Sequence, residues 1–71
     1  MHNYFVSFIY IDNSIHDNKQ VYDNCIIVDS IDTSTSTASQ LDNMIERFTH
    51  QIKQQIPNAD TVTILNLNKM N

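Results

Sequence analysis

The 71-residue chain contains no glycine, although average usage would supply about five. Glycine is the residue that most readily adopts positive φ angles and lets the backbone approach a ligand closely. Phosphate-cradling loops, dinucleotide-binding turns and the nucleophile elbow of hydrolases all depend on it. The composition therefore argues against folds that work through such loops, and with them against several large classes of enzyme.

The length of the chain predicts one small domain with a thin core. A domain of this size buries only about 60 % of the surface that its unfolded chain exposes. Self-association is one way in which such a domain adds to its apolar burial.

The charge of the chain is acidic, with eight acidic and four basic residues and a net charge of −4. Nucleic-acid binding requires a clustered basic face. We therefore expect the chain to bind neither nucleic acid directly nor an anionic membrane. One segment, with only Lys19 to oppose it, carries five aspartates: Asp12, Asp17, Asp23, Asp29 and Asp32. Two interpretations stay open, a solvated hairpin or an acidic patch that meets a basic partner.

The single cysteine, Cys25, cannot form an intramolecular disulfide and points to a reducing compartment. The apolar stretch at residues 4–11 is too short to span a bilayer, and it lacks the flanking features of a signal peptide. The sequence therefore predicts a cytoplasmic protein with no membrane partner.

The first half of the chain predicts two strands. Residues 3–11 are rich in aromatic and β-branched side chains on both faces, which is typical of a central strand. Turn-forming residues follow at 12–20. Residues 21–29 form the second strand, and the polar side chains of Asp23, Asn24 and Asp29 favour an edge position for it.

The second half predicts a helix and a third strand. The polar segment 30–37 is expected to be a flexible connector. Thr37 and Gln40 have the spacing of a capping box, and Pro57 ends the helix that covers about 38–56. Six apolar residues recur on one helical stripe: Leu41, Met44, Ile45, Phe48, Ile52 and Ile56. Residues 61–67 alternate as a strand, and the tail at 68–71 has no evident reason to be ordered.

These elements predict an α+β domain of ββαβ order, spanning residues 1–71. Its three-stranded antiparallel sheet has the order 2-1-3, and the amphipathic helix covers one face. The other face of the central strand stays open and apolar, which is typical of an interface. We expect the open face to be the one whose tyrosines can keep their hydroxyls in water, which consists of Tyr4, Val6, Phe8 and Tyr10. A homodimer, a different protein partner and coverage by the long loop are the three possible occupants.

Residues capable of catalysis or metal binding are scattered. His2, His16 and His50 have no spacing that suits zinc, and the acidic residues do not follow a calcium-loop pattern. Cys25 lies within an apolar strand, where cysteine usually packs as a small hydrophobic residue. Asp42 and Glu46 lie one turn apart without a catalytic setting. We therefore expect no metal, no cofactor and no enzymatic activity.

Two strand segments, residues 3–10 (NYFVSFIY) and 59–66 (ADTVTILN), together with the helix between them, resemble a set of short phage and mobile-element proteins of ββαβ build. Some of these inhibit bacterial defence systems, among them anti-CRISPR and anti-Hachiman proteins. The resemblance implies a stoichiometric inhibitor that occupies the surface of a host defence protein, without a cofactor and with no catalytic residue to carry over. The alternatives are a structural or accessory protein and a dimer that sequesters a nucleotide.

Overall fold

A computed structural model of the chain describes residues 1–13 and 19–70. It contains four elements in the order β1 (His2–Asp12), β2 (Gln20–Asp29), α1 (Ala38–Gln55) and β3 (Ala59–Lys69). The sheet has three strands in the order β2-β1-β3. Both neighbours of β1 run antiparallel to it. The predicted fold class and strand order are confirmed.

The helix begins and ends where the sequence predicts. The side chain of Thr37 accepts the backbone N–H of Gln40, and the Gln40 side chain accepts the N–H of Thr37, so the capping box is complete. The last helical residue lies two positions before Pro57, which cannot donate a backbone hydrogen bond. Three members of the apolar stripe are buried, namely Met44, Phe48 and Ile52. Ile45 was assigned to the same stripe but is exposed.

The core forms between α1 and one face of the sheet. The sheet contributes five buried side chains: Tyr4, Val6, Phe8, Tyr10 and Ile27. The rings of Tyr4 and Phe48 lie 5.9 Å apart, centroid to centroid, within the range of favourable aromatic pairs. The partly buried Leu67, Ile64 and Val62 of β3 pack against the same cluster.

The prediction that Tyr4, Val6, Phe8 and Tyr10 form the open face is wrong, because the helix covers them. Tyr4 is 0 % and Tyr10 is 8 % exposed. The hydroxyl of Tyr4 does not need water, since it donates to the carbonyl of Ile31 and accepts the N–H of Thr33. A buried tyrosine is tolerated when its hydroxyl finds such partners.

The connector between β2 and α1 is a hydrogen-bonded turn rather than the expected flexible link. The carboxylate of Asp32 accepts both the backbone N–H and the hydroxyl of Ser34, and its carbonyl accepts the N–H of Thr35 at 3.2 Å. Because Tyr4 also bonds two residues of this segment, the connector is fastened to the central strand.

The tail is likewise more ordered than expected. Strand β3 extends to Lys69, and the N–H of Met70 donates to the carbonyl of Asn3 at 2.7 Å. The ammonium of Lys69 lies 3.0 Å from the carboxylate of Asp32. This ion pair ties the end of β3 to the connector.

Candidate functional site

The open face of the sheet belongs to the opposite set of strand residues from the one predicted. The register of the strands groups these side chains into rows across the sheet. One row joins Ile26, Phe5 and Asn68, and another joins Tyr22, Ile9 and Thr63. We use the term open sheet face for the residues that the register places there: Asn3, Phe5, Ser7, Ile9, Ile11, Gln20, Tyr22, Asn24, Ile26, Val28, Thr63, Asn66 and Asn68.

Large apolar side chains on this face are exposed to solvent. Tyr22 is 71 % and Ile26 is 58 % exposed, with Val28 and Phe5 less so. Leu65 is the extra residue of a bulge beside Asn66 and is 54 % exposed. Contiguous apolar surface of this kind on a small domain usually marks a binding site.

A polar row crosses the middle of the open sheet face. It consists of Asn24, Ser7 and Asn66, one residue from each strand. The hydroxyl of Ser7 donates to Asn24 Oδ1 at 3.0 Å, which orients the amide of Asn24. The face therefore offers two apolar bands separated by amide and hydroxyl groups, a composition suited to a protein surface of matching polarity.

None of the residues of the open sheet face carries a charge. Asp23, Asp29 and Lys69 lie on the face of the core in the paired register, whereas Asp60 of β3 lies outside that register. Interface cores are depleted of charged residues in the same way. For a chain whose net charge is −4, the absence of charge from the named residues of the open sheet face is the most specific signal in the structure.

Two of the aspartates assigned to an acidic patch, Asp29 and Asp32, are paired with cations from elsewhere in the fold. The carboxylate of Asp29 is buried and accepts two N–H groups of Arg47, at 3.0 and 3.2 Å, and the N–H of Ile31. Asp32 is paired with Lys69. Hydrogen bonds from Ser34, aided by the Lys69 ammonium, hold the pKa of Asp32 well below its ordinary value.

The two other described aspartates of that set differ in their exposure. Asp23 is exposed on β2 and accepts the N–H of Asn24 at 2.7 Å, whereas Asp12 is partly buried at the end of β1. Asp17, like His16, lies outside the described residues. Two of the four described aspartates thus pair with cations from α1 and β3, in addition to Lys19, which the sequence places in the same segment.

Groups that carry chemistry are dispersed among the described residues. Within residues 1–13 and 19–70, no three side chains of histidine, cysteine, aspartate or glutamate come together as a metal site would require. Cys25 is half-buried on the core side of β2, and its burial, followed by the negative charge of Asp23, raises the pKa of its thiol. A thiol held in its protonated form is a poor nucleophile.

A shallow depression lies on the outer side of α1. It is lined by Asn43, Glu46, Arg47, His50 and Gln51, all of which belong to one helix. The ring of His50 contacts Gln54 at 3.1 Å, and the guanidinium of Arg47 is held by Asp29. Because the guanidinium of Arg47 is committed to the fold, this depression offers less for ligand recognition than the open sheet face.

Comparison of the chain with known protein families, with curated proteins and with solved structures gives no match. In the part of the chain that the structure describes, no helix is both long enough and apolar enough to cross a membrane.

Sequence reasoning missed Tyr22, Ile26, Val28 and Leu65 as surface residues of the site. The face of β2 that contains Tyr22 and Ile26 is the less charged of its two faces, while Asp23 and Asp29 share the other. This pattern suggests that the face with Asp23 and Asp29 is turned to solvent. In the structure that face is turned to the core, and the face with Tyr22 and Ile26 is the open one. The sequence of β1 does indicate which of its faces is buried. The small polar Ser7 interrupts the open face, whereas larger apolar side chains occupy the buried face from Tyr4 to Tyr10.

Proposed function

We propose that this protein is a protein-binding module that acts stoichiometrically, through the open sheet face, as an inhibitor of its partner. The observation that carries the proposal is the exposed apolar surface without a charged side chain. Burial of apolar area drives most protein association, and aromatic anchors such as Tyr22 and Phe5 are enriched at binding sites. Inhibition would follow from occupying a surface that the partner needs, and it requires no cofactor.

The partner that we propose is a bacterial defence protein in the cytoplasm of a host cell, in the manner of an anti-CRISPR protein. The support for this narrower proposal is the resemblance in pattern and length to short phage and mobile-element proteins of ββαβ build. The chemistry of the face adds a constraint. A partner surface that meets it should be apolar with amide or hydroxyl groups, because the face has no charge with which to recognise a charged site.

The proposal predicts that one charge on the open sheet face abolishes inhibition. Ile26→Asp places a carboxylate in the apolar band, where binding would bury it without a counter-charge. We expect its affinity for the partner to fall by about 30-fold or more. Ile45→Asp is the matched control, since it makes the same chemical change at an exposed position of α1 away from the sheet.

The measurement is the plating efficiency of a phage on bacterial strains that each carry one defence system, with and without the protein. The wild type and Ile45→Asp should restore plating on the strain whose system is the target, and Ile26→Asp should not. Equal restoration by Ile26→Asp would show that another surface binds. No restoration on any strain of a broad panel, with soluble folded protein present, would remove the inhibitor proposal.

A further inference from the structure

The two edges of the sheet differ in their capacity to pair with another strand. Strand β2 pairs with β1 from Gln20 to Asp29 in one continuous register. Strand β3 departs from its register twice, with Leu65 as an extra residue at one of these places. Bulges twist an edge and prevent regular pairing. Among the described residues, β2 is therefore the edge that can accept a further strand along its whole length.

The backbone groups that β2 presents to its free edge can be assigned. The N–H of Asp12 donates to the carbonyl of Lys19 at 3.3 Å, so these two residues form a hydrogen-bonded pair of the antiparallel ladder. Such pairs alternate along a strand. The odd-numbered residues of β2 therefore bond β1, and the even-numbered ones, from Gln20 to Val28, direct their N–H and C=O groups outward.

We infer that β2 pairs antiparallel with β2 of a second copy of this chain, about a two-fold axis perpendicular to the sheet. This symmetry keeps both open sheet faces on one side. Residues that lie opposite each other then share a face. Because the residues on one face of β2 are either all even-numbered or all odd-numbered, the numbers of two opposed residues add to an even sum. The possible registers are thus few, and each is centred on one residue of β2.

Charge decides among these registers. Centring on Asp23 would set the two Asp23 carboxylates opposite each other, and centring on Ile26 would set Asp23 opposite Asp29. Directly opposed like charges destabilise a sheet. Centring on Cys25 would place each Asp23 opposite the apolar Ile27.

The register centred on Asn24 avoids both contacts between like charges, and it sets Asp23 opposite Cys25, whose side chain is smaller and more polarisable than that of Ile27. It places Tyr22 opposite Ile26 on the open side, an aromatic and β-branched pair of the kind that stabilises sheets. On the other side it sets Val21 opposite Ile27. At each end, Lys19 lies opposite Asp29 of the second copy, whose carboxylate is paired with Arg47 of its own chain, so no like charges meet there. We therefore assign the two-fold axis to Asn24.

In the single chain, the outward N–H of Asn24 is satisfied by the Asp23 carboxylate at 2.7 Å. Pairing exchanges this exposed local bond for a bond to the carbonyl of Asn24 in the second copy. The carboxylate of Asp23 then turns to water. The local bond thus satisfies the N–H of Asn24 in the single chain, and a strand in the correct register replaces that bond on pairing.

Pairing would also enlarge the binding surface. Three strands about 4.8 Å apart and ten residues long give a footprint of about 500 Å², below the roughly 800 Å² per partner of a standard stable interface. A six-stranded sheet has about twice that footprint, about 1,000 Å², with both open sheet faces continuous across the axis. The dimer would therefore serve binding without covering the open sheet face.

The test is a scan of single cysteines in a Cys25→Ser background. Directly opposed residues of a hydrogen-bonded pair have Cα atoms about 5.5 Å apart, which suits a disulfide. Under mild oxidation we expect Asn24→Cys to give a disulfide-linked dimer in high yield. Asp23→Cys, Ile26→Cys and the unmodified Cys25 should give much less, and Thr63→Cys on β3 serves as the control for random collision.

A maximum at position 23, 25 or 26 would overturn the assigned register. No yield above that of Thr63→Cys would overturn pairing through β2. Light scattering provides the second measurement: the wild type should have the mass of two chains, and Asn24→Lys, which opposes two ammonium groups at the axis, that of one. Thr63→Lys should stay dimeric. Circular dichroism verifies that each variant is folded, and none of these measurements involves the inhibited partner.

Discussion

Replacing Phe8 by aspartate is expected to unfold the domain. The side chain of Phe8 is buried between the central strand and α1. The substitution removes about 1.5–3 kcal/mol of apolar burial and places a carboxylate inside the apolar core cluster, at a further cost of several kcal/mol. At about 0.05–0.15 kcal/mol per residue, the whole stability of 71 residues is only about 4–10 kcal/mol, so the loss is comparable to the total.

The matched control is Phe5→Asp on the same strand. Phe5 has the same side chain, but it belongs to the open sheet face and is partly exposed, so its new carboxylate stays in water. We expect Phe5→Asp to keep a cooperative thermal transition. Far-UV circular dichroism and the dispersion of amide signals in NMR spectra distinguish the two variants. A folded Phe8→Asp, or an unfolded Phe5→Asp, would mean that the two faces of β1 are assigned the wrong way round.

The second large effect is expected for Phe48→Ala on α1. Phe48 is fully buried and packs against the ring of Tyr4. Truncating a buried phenylalanine costs about 3–5 kcal/mol, because the cavity that remains is only partly refilled. Because α1 contributes only two other buried side chains to the core, Met44 and Ile52, few contacts remain to hold the helix on the sheet. The variant should therefore be marginally stable at room temperature.

Urea unfolding measures this loss of stability. The midpoint for Phe48→Ala should fall to a small fraction of the wild-type value, with the slope of the transition unchanged. Ile45→Ala is the control, because Ile45 is exposed on the same helix, and it should cost less than about 1 kcal/mol. Equal midpoints for the two variants would contradict the packing of α1 on the sheet.

Much of the fold could be predicted because local signals agreed with one another. The capping box at Thr37, the helical stripe around Phe48 and the stop at Pro57 each report on one element without reference to the rest of the chain. The apolar character of residues 3–11 on both faces predicts a central strand, and this fixes the strand order. Such consistency across levels is what allows a sequence to specify one fold.

The face that the helix covers could not be predicted in this way, because both faces of β1 are apolar. The choice depended on whether the tyrosines need water. The hydroxyl of Tyr4 instead bonds the backbone at Ile31 and Thr33, residues that lie about 30 positions away in the sequence. No local pattern reveals a partner at that separation.

The role of the aspartates was hidden for the same reason. Counting charges by segment set only Lys19 against these aspartates, whereas the fold brings Arg47 to Asp29 and Lys69 to Asp32. These ion pairs fix the end of β2 and the connector against α1 and β3. Because Asp29 and Asp32 are paired in this way, they contribute less to an acidic surface, and the open sheet face is the better candidate for binding.

The chemical reactivity of the three tyrosines in the native protein distinguishes the open sheet face from the buried face. Tyr22 marks the open sheet face and is 71 % exposed, whereas Tyr4 and Tyr10 mark the buried face. Under brief treatment with tetranitromethane, followed by peptide mass spectrometry, nitration is expected at Tyr22 alone, and at all three in urea. Nitration of native Tyr4 or Tyr10 at a rate matching that of Tyr22 would contradict the assignment of the open sheet face.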